Sequence, residues 1–360
     1  MRDEIKKIIN KRNVIILTIA IILICFVLPM IITVIAYEAN FGSRVTIDEN
    51  NSMMKFEDYE MSRENIEFKS NKGQTLRWYL YTKEGVEPKA LIVLSHGYLN
   101  VHEDYLAQIN YFVENGFEVM GYDNTGTNLS DGDNLIGLGQ SAIDLDYALR
   151  FVESNEDLNK YKVFLYGHSW GGYAVTYVLN YGHNVAGVVA RSGYNNSRDM
   201  LVEYGSNLYG DWLKLLSPYA YIYIYEKIKF GDAIDKNGVK GINASKDTPV
   251  MLFHSKDDDV ISLDNSLLIH KDEFANPDRI KTVLLEDRWH DVTETLEARQ
   301  YNQEQEEKFE KLIEEYGGEE KIPQEVEKEY FNSIDKQKVN EIDLDVMKQI
   351  VDFYNEILEK

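Results

Sequence analysis

The reading of this chain turns on residues 161–172, Tyr161-Lys162-Val163-Phe164-Leu165-Tyr166-Gly167-His168-Ser169-Trp170-Gly171-Gly172. An apolar run stops at a serine, glycines stand two positions away on either side, and a helical pattern follows over 170–181. A G-x-S-x-G turn between a strand and a helix is the setting a nucleophile elbow requires. The turn is tight and strained, so bulky side chains at 167 and 171 would collide. Gly172 would let the helix pack close to the sheet. The Ser169 hydroxyl is then held up at the carboxyl end of its strand.

Around this turn, apolar runs alternate with helical patterns. The strand-like runs are 65–70, 75–82, 90–95, 117–122, 161–166, 185–190, 248–254 and 281–286. Between them, 102–115, 138–153, 170–181 and a stretch near 263–275 carry apolar residues at helical spacing. Strands alternating with helices predict an α/β fold, with a mostly parallel central sheet and helices on both faces. Such a sheet binds ligands at the carboxyl ends of its strands.

Two segments stand outside the alternation. Residues 194–247 hold seven tyrosines and Trp212. They are too long for a simple crossover and read as a cap inserted over the site. Residues 291–360 are acidic and helical in pattern, over 294–316, 323–333 and 343–358, and their acidic surplus reads as a solvated helix face.

With 360 residues and 44% apolar composition the chain can bury a large core. Its net charge of −23 argues against nucleic acid as a partner, because phosphate binding needs a basic face. The single cysteine, Cys25, cannot form a disulfide within the chain. Residues 14–37 carry no charge. As helix they would reach about 36 Å, enough to cross a hydrocarbon core of about 30 Å, and Pro29 is tolerated in such a helix. Arg2, Lys6, Lys7, Lys11 and Arg12 precede this run, and only Arg44 follows closely. The bias places 1–13 in the cytoplasm, 14–37 across the membrane as a signal-anchor, 38–64 as a juxtamembrane stalk and a catalytic domain, 65–360, outside the cell. The rival is a cleaved signal peptide, to which Val34-Ile35-Ala36 is a loose fit. Against it, the apolar core is longer than a signal peptide's usual ~7–15 residues.

A serine nucleophile needs a base and donors for the developing oxyanion. Ser95-His96-Gly97-Tyr98 ends an earlier strand, where the N–H of Tyr98 can pair with that of Trp170. His96 belongs to that turn, so the better base is His290, in a loop after the last strand run. The orienting acid should follow the preceding strand, where Asp257, Asp258 and Asp259 stand together. No metal-binding or dinucleotide-binding motif appears, and no cofactor is called for.

These motifs together resemble the α/β-hydrolase superfamily, and most closely bacterial membrane-anchored serine hydrolases related to the monoglyceride lipases, carboxylesterases and serine aminopeptidases. The motifs are H-G-Y (96–98), D-x-x-G-x-x-x-S (123–130), G-H-S-x-G-G (167–172), H-S-x-x-D-x-x-I (254–261) and His290. The resemblance implies Ser169 as nucleophile, His290 as base and Asp258 as acid, because that family's acid stands four residues after the strand-end histidine. Asp123 would be structural. The chain departs from the pattern at Asn128, Ser255 and Ser262, and at the bulky Arg288-Trp289 before His290. The implied activity is cleavage of an ester, thioester or similar acyl bond in a small or lipid-like substrate. The alternatives are a peptidase using a cap carboxylate such as Glu203 to hold a free amine, or a surface interaction protein on the same fold that has lost catalysis.

Overall fold

The computed structural model describes residues 2–47, 53–210 and 218–360. Trp212 and residues 48–52, which the sequence reading assigns to the cap and the stalk, lie outside the described residues. Eight strands form one sheet in the order β1-β2-β4-β3-β5-β6-β7-β8. They are β1 (Ser62–Lys69), β2 (Thr75–Thr82), β3 (Leu91–Ser95), β4 (Glu118–Tyr122), β5 (Val163–His168), β6 (Val185–Arg191), β7 (Val250–Ser255) and β8 (Ile280–Leu285). The β1–β2 and β2–β4 pairs are antiparallel, and the pairs from β4 through β8 are parallel.

The helices in chain order are α1 (Arg2–Ile22), α2 (Leu28–Phe41), α3 (Leu106–Glu114), α4 (Gly139–Ser154), α5 (Trp170–Tyr177) and α6 (Ser197–Tyr209). They continue with α7 (Pro218–Phe230), α8 (Gly238–Ala244), α9 (Leu296–Tyr316), α10 (Gln324–Ser333), α11 (Lys336–Val339) and α12 (Leu344–Leu358). A π-helical turn, Leu23–Val27, joins α1 to α2. The central strands β3, β5 and β7 are buried at every position. This is why they read as continuous apolar runs and not as alternation: both faces of a parallel sheet are covered. One core contains Val93, Leu165, Trp170 and Ala174, and the other contains Phe112, Phe164, Met347 and Tyr354. Helix α12 closes the second core, and the Tyr354 hydroxyl donates to the carbonyl of Leu165 on the serine's own strand at 2.8 Å.

Two expectations need correction. Residues 263–275 form short 3₁₀ turns, Leu263–Asn265 and Leu267–Glu273, and no α-helix. A local side-chain bond competes with helix there, Ser266 Oγ donating to the Leu263 carbonyl at 2.8 Å, and a tertiary one ties the segment to α6, Asn265 Nδ2 donating to Glu203 at 2.5 Å. The stretch after residue 37 does not stand off as a stalk. Helix α2 continues to Phe41, and Tyr37 and Phe41 are buried in the domain core. Lys229 and Tyr225 of α7 hold Glu38 at 2.5 and 2.7 Å. The Phe41 carbonyl accepts from Leu135 N at 3.1 Å, and Val45 N donates to Gly126 O at 3.0 Å. The apolar helix Lys11–Phe41 is long and apolar enough to cross a membrane.

Candidate active site

Strand β5 delivers Ser169 into a strained turn. Its φ and ψ are 54° and −113°, a backbone region that side chains rarely adopt. The strain is held from the neighbouring strand, because Ser169 N donates to the Arg191 carbonyl at 2.9 Å. The glycines are required by contact. A Cβ at Gly167 would meet the Gly171 carbonyl oxygen at 2.2 Å, and one at Gly171 would meet the Ser95 carbonyl oxygen at 1.9 Å. A Cβ at Gly172 would meet Arg191 O and Gly193 Cα less closely, at 2.9 and 3.0 Å.

The turn after β3 comes up beside this elbow. His96 is fully buried, donates from Nδ1 to the Gly97 carbonyl at 2.7 Å, and accepts at Nε2 from Asn124 N at 3.0 Å. Burial pushes its pKa down, so it stays neutral as a structural member of the turn. The Tyr105 hydroxyl accepts from Gly97 N at 2.9 Å and also meets His168 Nδ1 at 2.8 Å, tying this turn to the residue before the serine. Among the described residues, neither Tyr98 N–H nor Trp170 N–H has a protein acceptor.

Asp258 and His290 are brought together from the ends of β7 and β8. His290 Nδ1 lies 2.9 Å from each carboxylate oxygen of Asp258. The Asp258 side chain is fully buried, and its Oδ1 also accepts from Val260 N at 3.0 Å and Ile261 N at 2.8 Å. Asp257 is turned away, accepting from Ser255 Oγ and, at 3.3 Å, from Arg288 N. The His290 ring stands 4.9 Å from the ring of His168, and its carbonyl accepts from Ser192 Oγ at 2.6 Å. His290 therefore sits beside the elbow, although no hydrogen bond joins it to Ser169 Oγ among the described residues. Such bonds are often long before substrate binds.

Behind His290 lies a pair that the sequence reading missed. Arg191, fully buried at the end of β6, forms an ion pair with Asp291. Thr293 Oγ1 donates to the same carboxylate at 2.9 Å. Burial alone would raise the Asp291 pKa, but the Arg191 guanidinium holds it well below the usual carboxylate range. Burial and the Arg191 charge push His168 well below the usual imidazole range, so it stays neutral. Nothing in the sequence around Arg191 distinguishes it from a surface arginine, because its partner is 100 residues away.

A narrow cavity of about 70 Å³ opens at Ser169, lined by Tyr98, Trp170, Leu138 and Tyr194, by Met200, Leu201 and Tyr204 of α6, and by Asn40 and Phe41. The last two were also missed. They belong to the helix that the sequence assigns to the membrane and the stalk, and long-range packing alone brings them here. Glu203, the amine-holding candidate, is already engaged. Its Oε1 accepts from Ser262 N at 3.1 Å and its Oε2 from Asn265 Nδ2 at 2.5 Å.

Two of the departures from the pattern, Asn128 and Arg288, are accounted for by their contacts. Asn128, where a glycine is usual, has φ 47°, and its amide donates to Asp123 Oδ2 at 3.0 Å. Asparagine is among the few non-glycine residues that tolerate that backbone. Asp123 is buried and bound to His102 at 2.7 Å, a structural arrangement. Arg288 turns toward the acidic C-terminal region, pairing with Asp343 at 2.7 Å.

A family model described as serine aminopeptidase, S33, matches residues 86–247. That stretch includes Tyr98, Ser169 and Trp170, while Asp258 and His290 lie beyond it. Among solved structures, the chain is similar to an esterase of Pyrococcus furiosus, at 15% identity and a TM-score of 0.53 over 76% of this chain and 97% of that one. A second crystal form of the same esterase gives 14% identity and 0.52, over 76% and 98%. An acetyl xylan esterase from Thermoanaerobacterium overlaps at 14% identity and 0.48, over 63% and 77%. No curated protein matches the chain. At these identities the structural likeness speaks for the fold.

Proposed function

We propose that this chain, which has an α/β-hydrolase fold and matches the serine aminopeptidase, S33, family model over residues 86–247, is a serine hydrolase cleaving an ester, thioester or similar acyl bond. The observation that carries this reading is the Asp258–His290 pair standing beside a strained serine turn, with Tyr98 and Trp170 lining the same cavity as Ser169.

Ser169 Oγ attacks the acyl carbon, and His290 takes the hydroxyl proton at Nε2. Asp258, bound at Nδ1, keeps the imidazole in the tautomer whose Nε2 is free and supports its charge once protonated. The N–H groups of Tyr98 and Trp170 donate to the oxyanion, each worth about 3–4 kcal/mol in comparable sites. The C–O bond to the leaving group breaks, and His290 returns its proton to the departing alcohol. Water then attacks the acyl-serine, giving its proton to His290. Collapse releases the carboxylic acid and restores the Ser169 hydroxyl. One ester and one water yield one acid and one alcohol, with no cofactor.

We assign an ester and not a peptide amine terminus, because Glu203 is occupied by Ser262 and Asn265. The apolar helix is taken as a single-pass membrane anchor, with the hydrolase domain outside the cell. A fluorophosphonate probe tests the reading. Mass spectrometry of the labelled chain should find the adduct on Ser169, and Ser169→Ala should abolish it. An adduct on Ser95 or Ser130 would overturn the assignment.

A further inference from the structure

We propose that Phe41, on the last turn of helix α2, limits the acyl group that the Ser169 pocket accepts, and that the substrate is an ester of a short acyl chain. The proposal rests on Ser169 being the nucleophile. Phe41 lines the same cavity as Ser169 and is 3% exposed. Its ring stands 5.4 Å from the ring of Tyr98, edge to face, and 4.7 Å from that of Tyr37.

The wall it forms is pinned on both sides. The Leu135 N–H donates to the Phe41 carbonyl at 3.1 Å, and the Tyr98 hydroxyl donates to the carbonyl of Asn40 at 2.6 Å. Tyr98 is also the residue whose amide is the proposed oxyanion donor, so the wall and that donor share one support. Tyr37, against which the Phe41 ring packs, is itself closely confined. A Cβ on Gly137 would meet the Tyr37 hydroxyl at 1.8 Å. Opposite, the Trp170 indole N–H donates to the Leu138 carbonyl at 2.6 Å and fixes the far side.

The cavity is about 70 Å³. An apolar cavity of about 150 Å³ holds benzene, so this one takes a group smaller than that ring, such as an acetyl to butyryl chain. Well-packed walls do not swell to order, so chain length is set by which side chain ends the cavity. Phe41 is also four residues beyond Tyr37, the end of the uncharged run. The acyl wall and the apolar helix are therefore one continuous element.

The test uses the full chain in detergent micelles with p-nitrophenyl esters from acetate to octanoate. The wild type should prefer acetate to butyrate. Phe41→Ala should raise the octanoate-to-acetate ratio of kcat/KM by at least about tenfold, the scale on which apolar pockets discriminate methylenes. Phe41→Leu should move it in the same direction by less, and Phe41→Trp should depress butyrate relative to acetate. A parallel series of acetates with lengthening alcohols should keep its wild-type profile in all variants. Should Phe41→Ala fail to fold, the leucine and tryptophan variants decide. An unchanged acyl profile in those folded variants overturns the proposal, as does a wild type that prefers octanoate or a shift confined to the alcohol series. Those outcomes, with turnover still abolished by Ser169→Ala, leave the hydrolase reading standing. Turnover that survives Ser169→Ala, or its absence from the wild type, removes both.

Discussion

His290 Nδ1 lies 2.9 Å from both carboxylate oxygens of Asp258, and that carboxylate is itself held by the N–H groups of Val260 and Ile261. One acid of the Asp257-Asp258-Asp259 run is thereby distinguished from its neighbours. Asp258→Asn should lower kcat by about 10³–10⁴, as loss of the tautomer-fixing carboxylate does elsewhere. Asp257→Asn and Asp259→Asn should stay within about tenfold of wild type, since loss of a hydrogen bond remote from the imidazole costs only about 1 kcal/mol. Steady-state kinetics on p-nitrophenyl acetate checks this, and a large loss at 257 or 259 would move the assignment.

The ion pair behind the base should matter chiefly for stability. Asp291→Asn leaves the guanidinium of Arg191 buried without its counter-charge, which typically costs about 3–5 kcal/mol. Arg191→Met leaves a partly exposed carboxylate and should cost less. The double variant should recover at least half of the Asp291→Asn loss. Urea unfolding of the four proteins measures the coupling, and strictly additive losses would refute it.

Glu226, on α7, should make stability fall as pH rises. Its side chain is buried and accepts from Ser197 Oγ at 2.9 Å, and burial pushes its pKa up to about 7. Between the unfolded value near 4.3 and about 7, the folded chain holds a proton that the unfolded chain has lost. The stabilisation is complete below the unfolded value and lost as pH rises through the folded one, by up to roughly 4 kcal/mol. Thermal unfolding from pH 5 to 8 should therefore show a smaller decline in Glu226→Gln than in wild type. Glu294, Asp104 and Asp144, also raised by burial, would contribute to the slope that remains. Identical slopes in the two proteins would rule the assignment out.

Protease treatment of intact cells addresses the orientation of the apolar helix. With cationic residues ahead of the helix and an acidic domain behind it, the hydrolase domain should be digested without lysis. Protection until the cells are broken would reverse the topology. A free domain in the medium with a new N-terminus near Tyr37 would identify a cleaved signal.

What was legible in the sequence was local. The central strand runs were visible because parallel strands covered on both faces are apolar throughout, and the elbow because only glycine fits at 167 and 171, against the backbone of Gly171 and Ser95. The same chain order placed Ser169, Asp258 and His290 at strand ends. What tertiary structure alone decided was which distant groups share a dielectric and a wall. Arg191 carries no local mark of burial, and it becomes a core cation only because β6 ends opposite Asp291. Phe41 and Asn40 read as the exit from a membrane helix, since hydropathy records how apolar a segment is and not what it packs against. Contact with Tyr98, Leu135 and the α7 side chains carries the helix past the uncharged run and sets its last turn against Ser169. Such contacts join residues 58 to 187 positions apart, a separation over which no periodicity or motif spacing carries information.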